Sequence, residues 1–369
     1  MESFYNSLAS NGNNFITIKE AQQMLEVAWA TRDAILFLGD PGIGKTQIVR
    51  GFAKKMHQQD SSFLEHPIEK RLATEEPSDI KGVLNFVKDE KNPNIMRTDW
   101  AIPKCWPDGK TNPDMKGIIF LDELPQANPQ VQNAMYGLIQ ERCLDNLELP
   151  KDMMFVAAGN LPNSNQYVTE MAQAFSSRFT IFYVHAVLDE WAEWAMTHGI
   201  YPDIITYLKF NNSKAFYDKK AMEDGIKTFA NPRSWEVVSD VLKTNFDEKT
   251  KMEYISGRVG SEIATSLFQY LRSKKTYQPV SDILEKGKSF DEDSLERFFG
   301  TYINVICYYN SLNKQQKLQV LPMFVEAIGK LKEPEHRAFA AKQLMCLEDS
   351  INLIPADLTN KLVNIAFDE

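Results

Sequence analysis

Four apolar runs punctuate the first half of the chain: Ala34–Leu38 (AILFL), Ile118–Leu121 (IIFL), Met154–Ala158 (MFVAA) and Phe179–Val184 (FTIFYV). Continuous apolar runs of this length suit strands of a parallel sheet covered on both faces. Before and between them, apolar residues recur at helical period. Ala21, Met24, Leu25 and Ala28 follow Thr17 and Glu20, which have capping-box spacing. Val131, Ala134, Met135, Leu138 and Ile139 follow Asn128 and Pro129, an N-cap and first helical residue. The segment from Ile48 to Met56 predicts a further helix. Strands separated by helices predict an α/β fold with a parallel sheet and right-handed crossovers, filling residues 1–185.

Beyond His185 the strand pattern stops. Amphipathic segments follow at Leu188–His198, Pro202–Phe210, Pro232–Leu242, Ser261–Leu271, Leu295–Tyr309, Leu318–Ile328 and Arg337–Leu347. Asn231–Pro232, Glu333–Pro334 and Ile354–Pro355 are natural helix boundaries. The charged stretches Asp247–Lys251 and Arg272–Lys275 read as seams or as solvated faces. The second half is predicted to be all helix.

Composition narrows this picture. The 369 residues are 43% hydrophobic and 25% charged, which excludes a disordered chain and favours two or three domains. The net charge of −9 disfavours a whole-surface nucleic-acid binder, although a local basic channel is compatible with an acidic total. No apolar stretch approaches the roughly 18 residues that span a bilayer, and the start MESFYNSLASNGNN has no basic-then-apolar signal pattern. The expectation is a soluble, cytoplasmic protein. Cys105, Cys143, Cys307 and Cys346 are far apart and read as buried thiols of a reducing compartment. The five histidines are equally scattered and receive no metal or catalytic role.

The chemistry concentrates in Gly39-Asp40-Pro41-Gly42-Ile43-Gly44-Lys45-Thr46, which fits GxxxxGK[ST] between a predicted strand and a helix. A phosphate chain needs several backbone N–H donors at close range, which favours residues without Cβ at the start of a helix. Lys45 suits the β- and γ-phosphates, and the Thr46 hydroxyl suits Mg²⁺. The strand Ile118–Leu121 ends in Asp122 and Glu123. At the carboxyl edge of the sheet, Asp122 would hold the Mg²⁺ hydration shell and Glu123 would polarise attacking water. Alone, such a pair serves as a helix cap in most proteins; beside a phosphate loop it points to ATP hydrolysis. A guanine-reading NKxD is absent, because Asn313-Lys314 and Asn360-Lys361 lack the required Asp. Three more residues follow in order. Asn160 ends a strand, Arg178 closes a helix before the last strand, and Arg233 opens a helix in the second half. Each has an ordinary structural role open to it, as turn residue, helix-end charge or surface cation.

Taken together these segments resemble an AAA+ ATPase of the MoxR-like, dynein-related group, from about Ile16 to about Val238. GDPGIGKT resembles Walker A, IIFLDE Walker B, AAGN sensor 1, SSRF the arginine-finger segment and NPRSWE sensor 2. Weaker similarity covers Pro77–Gly82 and Trp191–Ala195. The resemblance implies a P-loop core over 1–185 and a helical lid over 186–270; it does not reach the helical extension expected over 271–369. It also implies ATP and Mg²⁺ as ligands, and a ring, commonly hexameric, with ATP at subunit interfaces. Arg178 would act in trans on a neighbour's γ-phosphate, and Arg233 would touch the phosphate of its own subunit. The expected function is a chaperone-like remodeller of proteins, with a partner bearing a von Willebrand factor A domain. A DNA-associated motor or loader and an ATP-gated assembly scaffold are the alternatives.

An insert of about 75–115, rich in Trp, Pro and Asn, is too long for a plain connection. In MoxR-like proteins an insertion here projects into the ring pore, and Leu144–Pro150 has hairpin character. Phe86, Trp100 and Trp106 are either contact residues for a partner or packing residues of the insert, packing being the default for each.

Overall fold

The computed structural model describes residues 15–92, 94–145, 147–161, 176–273, 277–347 and 355–367. The chain divides into two compact units, Met1–Val187 and Leu188–Glu369.

The first unit is built on a six-stranded parallel sheet. Its strands are β1 (Phe15–Thr17), β2 (Ile35–Gly39), β3 (Ile68–Arg71), β6 (Lys116–Asp122), β9 (Asp152–Gly159) and β10 (Thr180–His185). The intervening β4 (Val83–Lys88) and β5 (Met96–Ala101), and β7 (Cys143–Leu144) and β8 (Leu147–Glu148), form two separate antiparallel pairs. The order across the sheet is β1-β10-β2-β9-β6-β3. The four strands expected from apolar runs are its centre. The two edges, β1 and β3, were not expected: β1 has three residues, and β3 is the charged stretch IEKR. An edge strand covered on one side carries no continuous apolar run, so its pattern resembles a loop.

Helices α1 (Ile18–Thr31), α2 (Lys45–Gln59), α3 (Pro77–Lys81) and α4 (Pro129–Glu141) belong to this unit. The Thr17 hydroxyl accepts from Glu20 N and the Glu20 carboxylate accepts from Thr17 N, the predicted capping box. Asn128 caps α4 through Gln130 N at 3.0 Å, with Pro129 opening the helix. Leu36 and Leu38 of β2, Ile119 and Leu121 of β6 and Phe155 and Ala157 of β9 share one core with the apolar stripe of α4. Their strand neighbours Ile35, Phe37, Ile118, Phe120 and Val156 are also buried, so both faces of the sheet are covered. Each such side chain contributes roughly 1.5–3 kcal/mol by leaving water. This rigid sheet sets the positions of the residues at its two edges.

The insert is an ordered feature. After α3, Gly82 takes a positive φ of 87°, and a Cβ there would stand 2.1 Å from Ala101 O. β4 and β5 then pair in register, Leu84 opposite Trp100, Phe86 opposite Thr98 and Lys88 opposite Met96. Trp106 packs as expected, buried with its indole N–H donating to Ile80 O at 2.8 Å. Phe86 does not: it is 71% exposed, and Leu84, Met96 and Trp100 on the same face are exposed as well. The hairpin expected at Leu144–Pro150 is present as β7 and β8, with Asn146 outside the described residues.

The described part of the second unit contains helices and connecting turns. Long helices span Leu188–Thr197, Pro232–Lys243, Ser261–Ser273, Leu295–Ser311, Lys314–Gly329 and Pro334–Cys346. The segment from Pro202 is α-helical only to Thr206 and widens into a π-helical turn over Tyr207–Asn211. Asp247–Lys251, expected as a seam or a solvated face, is a solvated one: it is exposed through Thr250 and opens the helix Glu248–Val259, with Asp247 as N-cap accepting from Thr250 N at 3.0 Å. Ala356–Phe367 is a further helix that was not expected. Ile354 and Lys274–Thr276 lie outside the described residues. Cys105, Cys143 and Cys307 have free thiols that are half-buried rather than buried.

Candidate nucleotide site

At the carboxyl edge of β2 the chain leaves the sheet at Gly39 and enters α2 at Lys45. The turn between them depends on Gly44, the N-cap residue, whose φ of 106° is open to glycine but strained for other residues. The helix therefore begins on a loop whose amides lie at its positive end, where an anion is stabilised.

Lys45 is 8% exposed and folds back over this loop. Its Nζ donates to Gly39 O at 2.8 Å, to Asp40 O at 2.9 Å and to Asn160 Oδ1 at 3.1 Å. The next residue, Thr46, donates from Oγ1 to Asp122 Oδ2 at 3.2 Å, and Asp122 Oδ1 accepts from Glu123 N at 3.0 Å. Residues from β2, α2, β6 and β9 thus converge because their strands are neighbours in the order β2-β9-β6.

Glu123 adopts a left-handed backbone, φ 58° and ψ 32°, as the chain turns from β6 into the 3₁₀ turn Leu124–Gln126. A non-glycine residue in that region is held by its surroundings and is often found at functional positions. Two neighbours hold it. Gln126 N donates to Glu123 O at 3.0 Å. The Gln126 side-chain amide, with nitrogen toward Glu123 O at 3.2 Å and oxygen toward Asn160 N at 3.1 Å, spans the gap between β6 and β9. Gln126 was not singled out in the sequence, because nothing in its local pattern reveals a partner 34 positions away. Gly159 completes this corner: a Cβ there would stand 2.2 Å from Pro125 Cδ, so only glycine lets the two strand ends approach.

The oxygen donors Thr46 Oγ1 and Asp122 suit a hard divalent cation such as Mg²⁺, and the Lys45 ammonium beside the loop amides suits polyphosphate. The residues fit Mg-nucleotide.

Arg178 is elsewhere. Thr180, two residues on, pairs with Ile35 at the start of β2, whereas Val184 pairs with Gly39 at its end. Four strand residues span roughly 13 Å, so Arg178 stands at the opposite edge of the sheet from the phosphate loop. Its Nε donates to Gln140 Oε1 at 2.9 Å, its Nη2 to Gln140 and to the Tyr136 hydroxyl, and its Cζ lies 3.8 Å from the Tyr136 ring centroid. Arg32, Asp33, Arg142 and Arg178 line a cavity of about 200 Å³ there. Arg32 pairs with Asp152 at 2.8 Å, and Arg142 donates to the carbonyls of Pro150, Lys151 and Met153. The helix that Arg178 was expected to close is outside the described residues up to Phe175.

Arg233 belongs to the second unit, in the first turn of Pro232–Lys243. Asn231 and Ser234 form a reciprocal cap, and Trp235 is buried with its indole N–H donating to Ala215 O at 3.0 Å. Between these anchored neighbours Arg233 is exposed. A cation at a helix N-terminus opposes the macrodipole at a cost of about 0.3–1 kcal/mol, so Arg233 is not placed for helix stability. Burial raises the pKa of Glu236, one turn further on, and Arg233 offsets only part of that rise.

Comparison with known proteins agrees with this core. Residues 34–179, about two fifths of the chain, match the family model of an AAA domain of the dynein-related subfamily. An uncharacterized protein of Methanocaldococcus jannaschii, MJ0812, is 29% identical over 149 residues, covering 39% of this chain and 34% of that one. An ATP-dependent protease ATP-binding subunit-like protein AmiB of Pseudomonas aeruginosa is 27% identical over 110 residues, covering 30% of this chain and 28% of its own. The chain thus spans about a third of the length of the curated relatives it matches. Among solved structures, the RuvB Holliday junction branch migration motor of Thermotoga maritima is 15% identical with a TM-score of 0.34, over 69% of this chain and 68% of that one. NtrX from Brucella abortus in complex with ATP is 11% identical with a TM-score of 0.37, over 94% and 67%.

Proposed function

We propose that the chain is an ATP-hydrolysing, MoxR-like AAA+ protein that assembles into a ring and remodels or activates partner proteins. The observation that carries this reading is the division of the chemistry between two edges of one sheet. Lys45, Thr46, Asp122 and Asn160 converge at the carboxyl edge, while Arg178 stands at the other.

In this reading Lys45 and the loop amides hold the phosphates of ATP. Thr46 and Asp122 would hold Mg²⁺, which supplies charge neutralisation on the phosphate oxygens. Glu123 accepts a proton from the attacking water, and Asn160 orients that water. Arg178 faces away from its own loop, so the phosphate it serves is that of a second copy. The three guanidiniums around the adjoining cavity suit a polyanion arriving from outside the subunit. Arg233 serves as the cation that reports the subunit's own nucleotide state, a role that accounts for its unfavourable place at a helix start. An arginine acting in trans is worth roughly 10³–10⁵ in rate in related NTPases, so an isolated subunit hydrolyses slowly.

The partner is read as protein, in keeping with the net charge of −9. A protein carrying a von Willebrand factor A domain is the candidate from the family resemblance. The exposed apolar face of the β4–β5 hairpin, with Leu84, Phe86, Met96 and Trp100, is the contact surface this reading assigns to a partner.

ATPase rate measured against protein concentration tests the ring: specific activity should climb as subunits assemble. Glu123→Gln should hold ATP without turnover, and material captured on it identifies the partner class. Capture of protein that Phe86→Ser abolishes supports the remodeller. Recovery of DNA alone, lost with rising salt, would sink that reading.

A further inference from the structure

The finger-bearing edge carries more than Arg178. Helix α4 begins at the Walker B corner, where Asn128 caps it and the buried Gln132 side chain donates to Ala127 O at 3.1 Å. Thirteen residues later it ends at the opposite edge, about 20 Å away. Tyr136 and Gln140, one helical turn apart, share the face on which Arg178 lies. The guanidinium is held by Gln140 Oε1 at 2.9 Å, by the Tyr136 hydroxyl and by the Tyr136 ring at 3.8 Å. Three contacts from two residues remove most of the rotamer freedom of a long, half-exposed side chain.

The chemistry of this clamp is informative. Gln140 is exposed, and Tyr136 is half-buried, its ring packed against the core while its hydroxyl reaches Arg178. Gln140 and Tyr136 each offer Arg178 a neutral acceptor. A carboxylate at either position would hold the guanidinium more strongly, but it would also neutralise the charge and compete with phosphate. Neutral acceptors fix direction without themselves cancelling the positive charge, the preorganisation that stabilises a developing anion at least cost.

We propose that Tyr136 and Gln140 are positioning residues for Arg178, aiming it at the γ-phosphate on a second copy of this chain; this rests on the trans-acting arginine proposed above. Because α4 starts at the chain's own Glu123 corner, the clamp also ties the direction of the finger to the site upstream of it. Displacement of a catalytic group by about 1 Å costs on the order of a hundredfold in rate.

The test uses the assembled full-length protein. Gln140→Ala should lower kcat by roughly ten- to a hundredfold, with KM for ATP within about twofold of wild type. Gln140→Glu, which restores a strong hold on Arg178 but neutralises it, should fail to recover the rate. Tyr136→Phe keeps the ring and loses the hydroxyl, and should fall between wild type and Gln140→Ala. Co-assembly with Glu123→Gln subunits, which hydrolyse nothing but carry an intact clamp and finger, should restore hydrolysis in Gln140→Ala, toward half the wild-type rate per intact site. Arg178→Ala, treated identically, is the reference. If Arg178→Ala is rescued but Gln140→Ala either retains wild-type kcat or is not rescued, the clamp is overturned while the trans reading stands. If Arg178→Ala keeps its rate, or is not rescued by co-assembly, the trans reading falls and the clamp with it.

Discussion

Thr46 Oγ1 lies 3.2 Å from Asp122 Oδ2, joining the start of α2 to the end of β6 across 76 positions of sequence. Hydroxyl and carboxylate oxygens at this separation would supply two of the six ligands of an octahedral Mg²⁺. Asp122→Asn should therefore reduce ATP hydrolysis by roughly a hundredfold or more, and chelation of Mg²⁺ should abolish it in the wild type. Steady-state phosphate release with and without chelator checks both. A wild-type rate that survives chelation would remove the metal from the reading.

Glu123 is expected to separate binding from turnover. Its neutral isostere keeps the left-handed corner and the Asp122 contact at the backbone N–H, which does not involve the side chain. Glu123→Gln should bind ATP with unchanged affinity while kcat falls by roughly 10²–10⁴. Equilibrium binding of a fluorescent ATP analogue, alongside single-turnover hydrolysis, distinguishes this from a folding defect.

Gly159 has a structural consequence that reaches the site. A methyl group there would meet Pro125 Cδ at 2.2 Å, and the next residue is Asn160. Gly159→Ala should cost about 1–3 kcal/mol in urea unfolding through overpacking. It should also lower kcat, because the displaced strand end carries the amide that meets Lys45. Wild-type values of both quantities would show that Pro125 yields without cost.

In the second unit, Glu292 predicts a pH dependence. Burial opposes its ionisation, but the Lys332 N–H at 2.7 Å, His336 Nδ1 at 2.8 Å and the Glu333 N–H at 3.2 Å outweigh it, and its pKa is lowered. A carboxylate with a depressed folded-state pKa contributes stability above its unfolded value of about 4.3 and loses it as pH falls. Glu292→Gln should destabilise the protein at pH 7 by on the order of 1–3 kcal/mol, with the gap to wild type narrowing below about pH 5. Thermal melts at pH 7 and pH 4 read the difference; an equal gap at both would exclude the ionised carboxylate as its cause.

The local signals in this chain are those whose chemistry is confined to consecutive residues. A phosphate loop needs small residues, a lysine and a hydroxyl in fixed succession, so Gly39–Thr46 was legible before any fold was known. β2, β6 and β9 were legible because burial on both faces demands unbroken apolar runs, and the caps at Thr17 and Asn128 because they act within a single turn. Tertiary structure decided everything that rests on a partner elsewhere. β1 and β3 are strands because β10 and β6 lie beside them, not because of their own three or four residues. Trp106 is buried and Phe86 exposed although both are aromatic residues of one insert, since exposure depends on what packs against each. The 3.1 Å approach of Lys45 to Asn160 and the Gln126 bridge follow from strand order, and the separation of Arg178 from its own loop follows from the register of β10 on β2. Residue types are local, but distance is set by the sheet, and the sheet is a property of the whole domain.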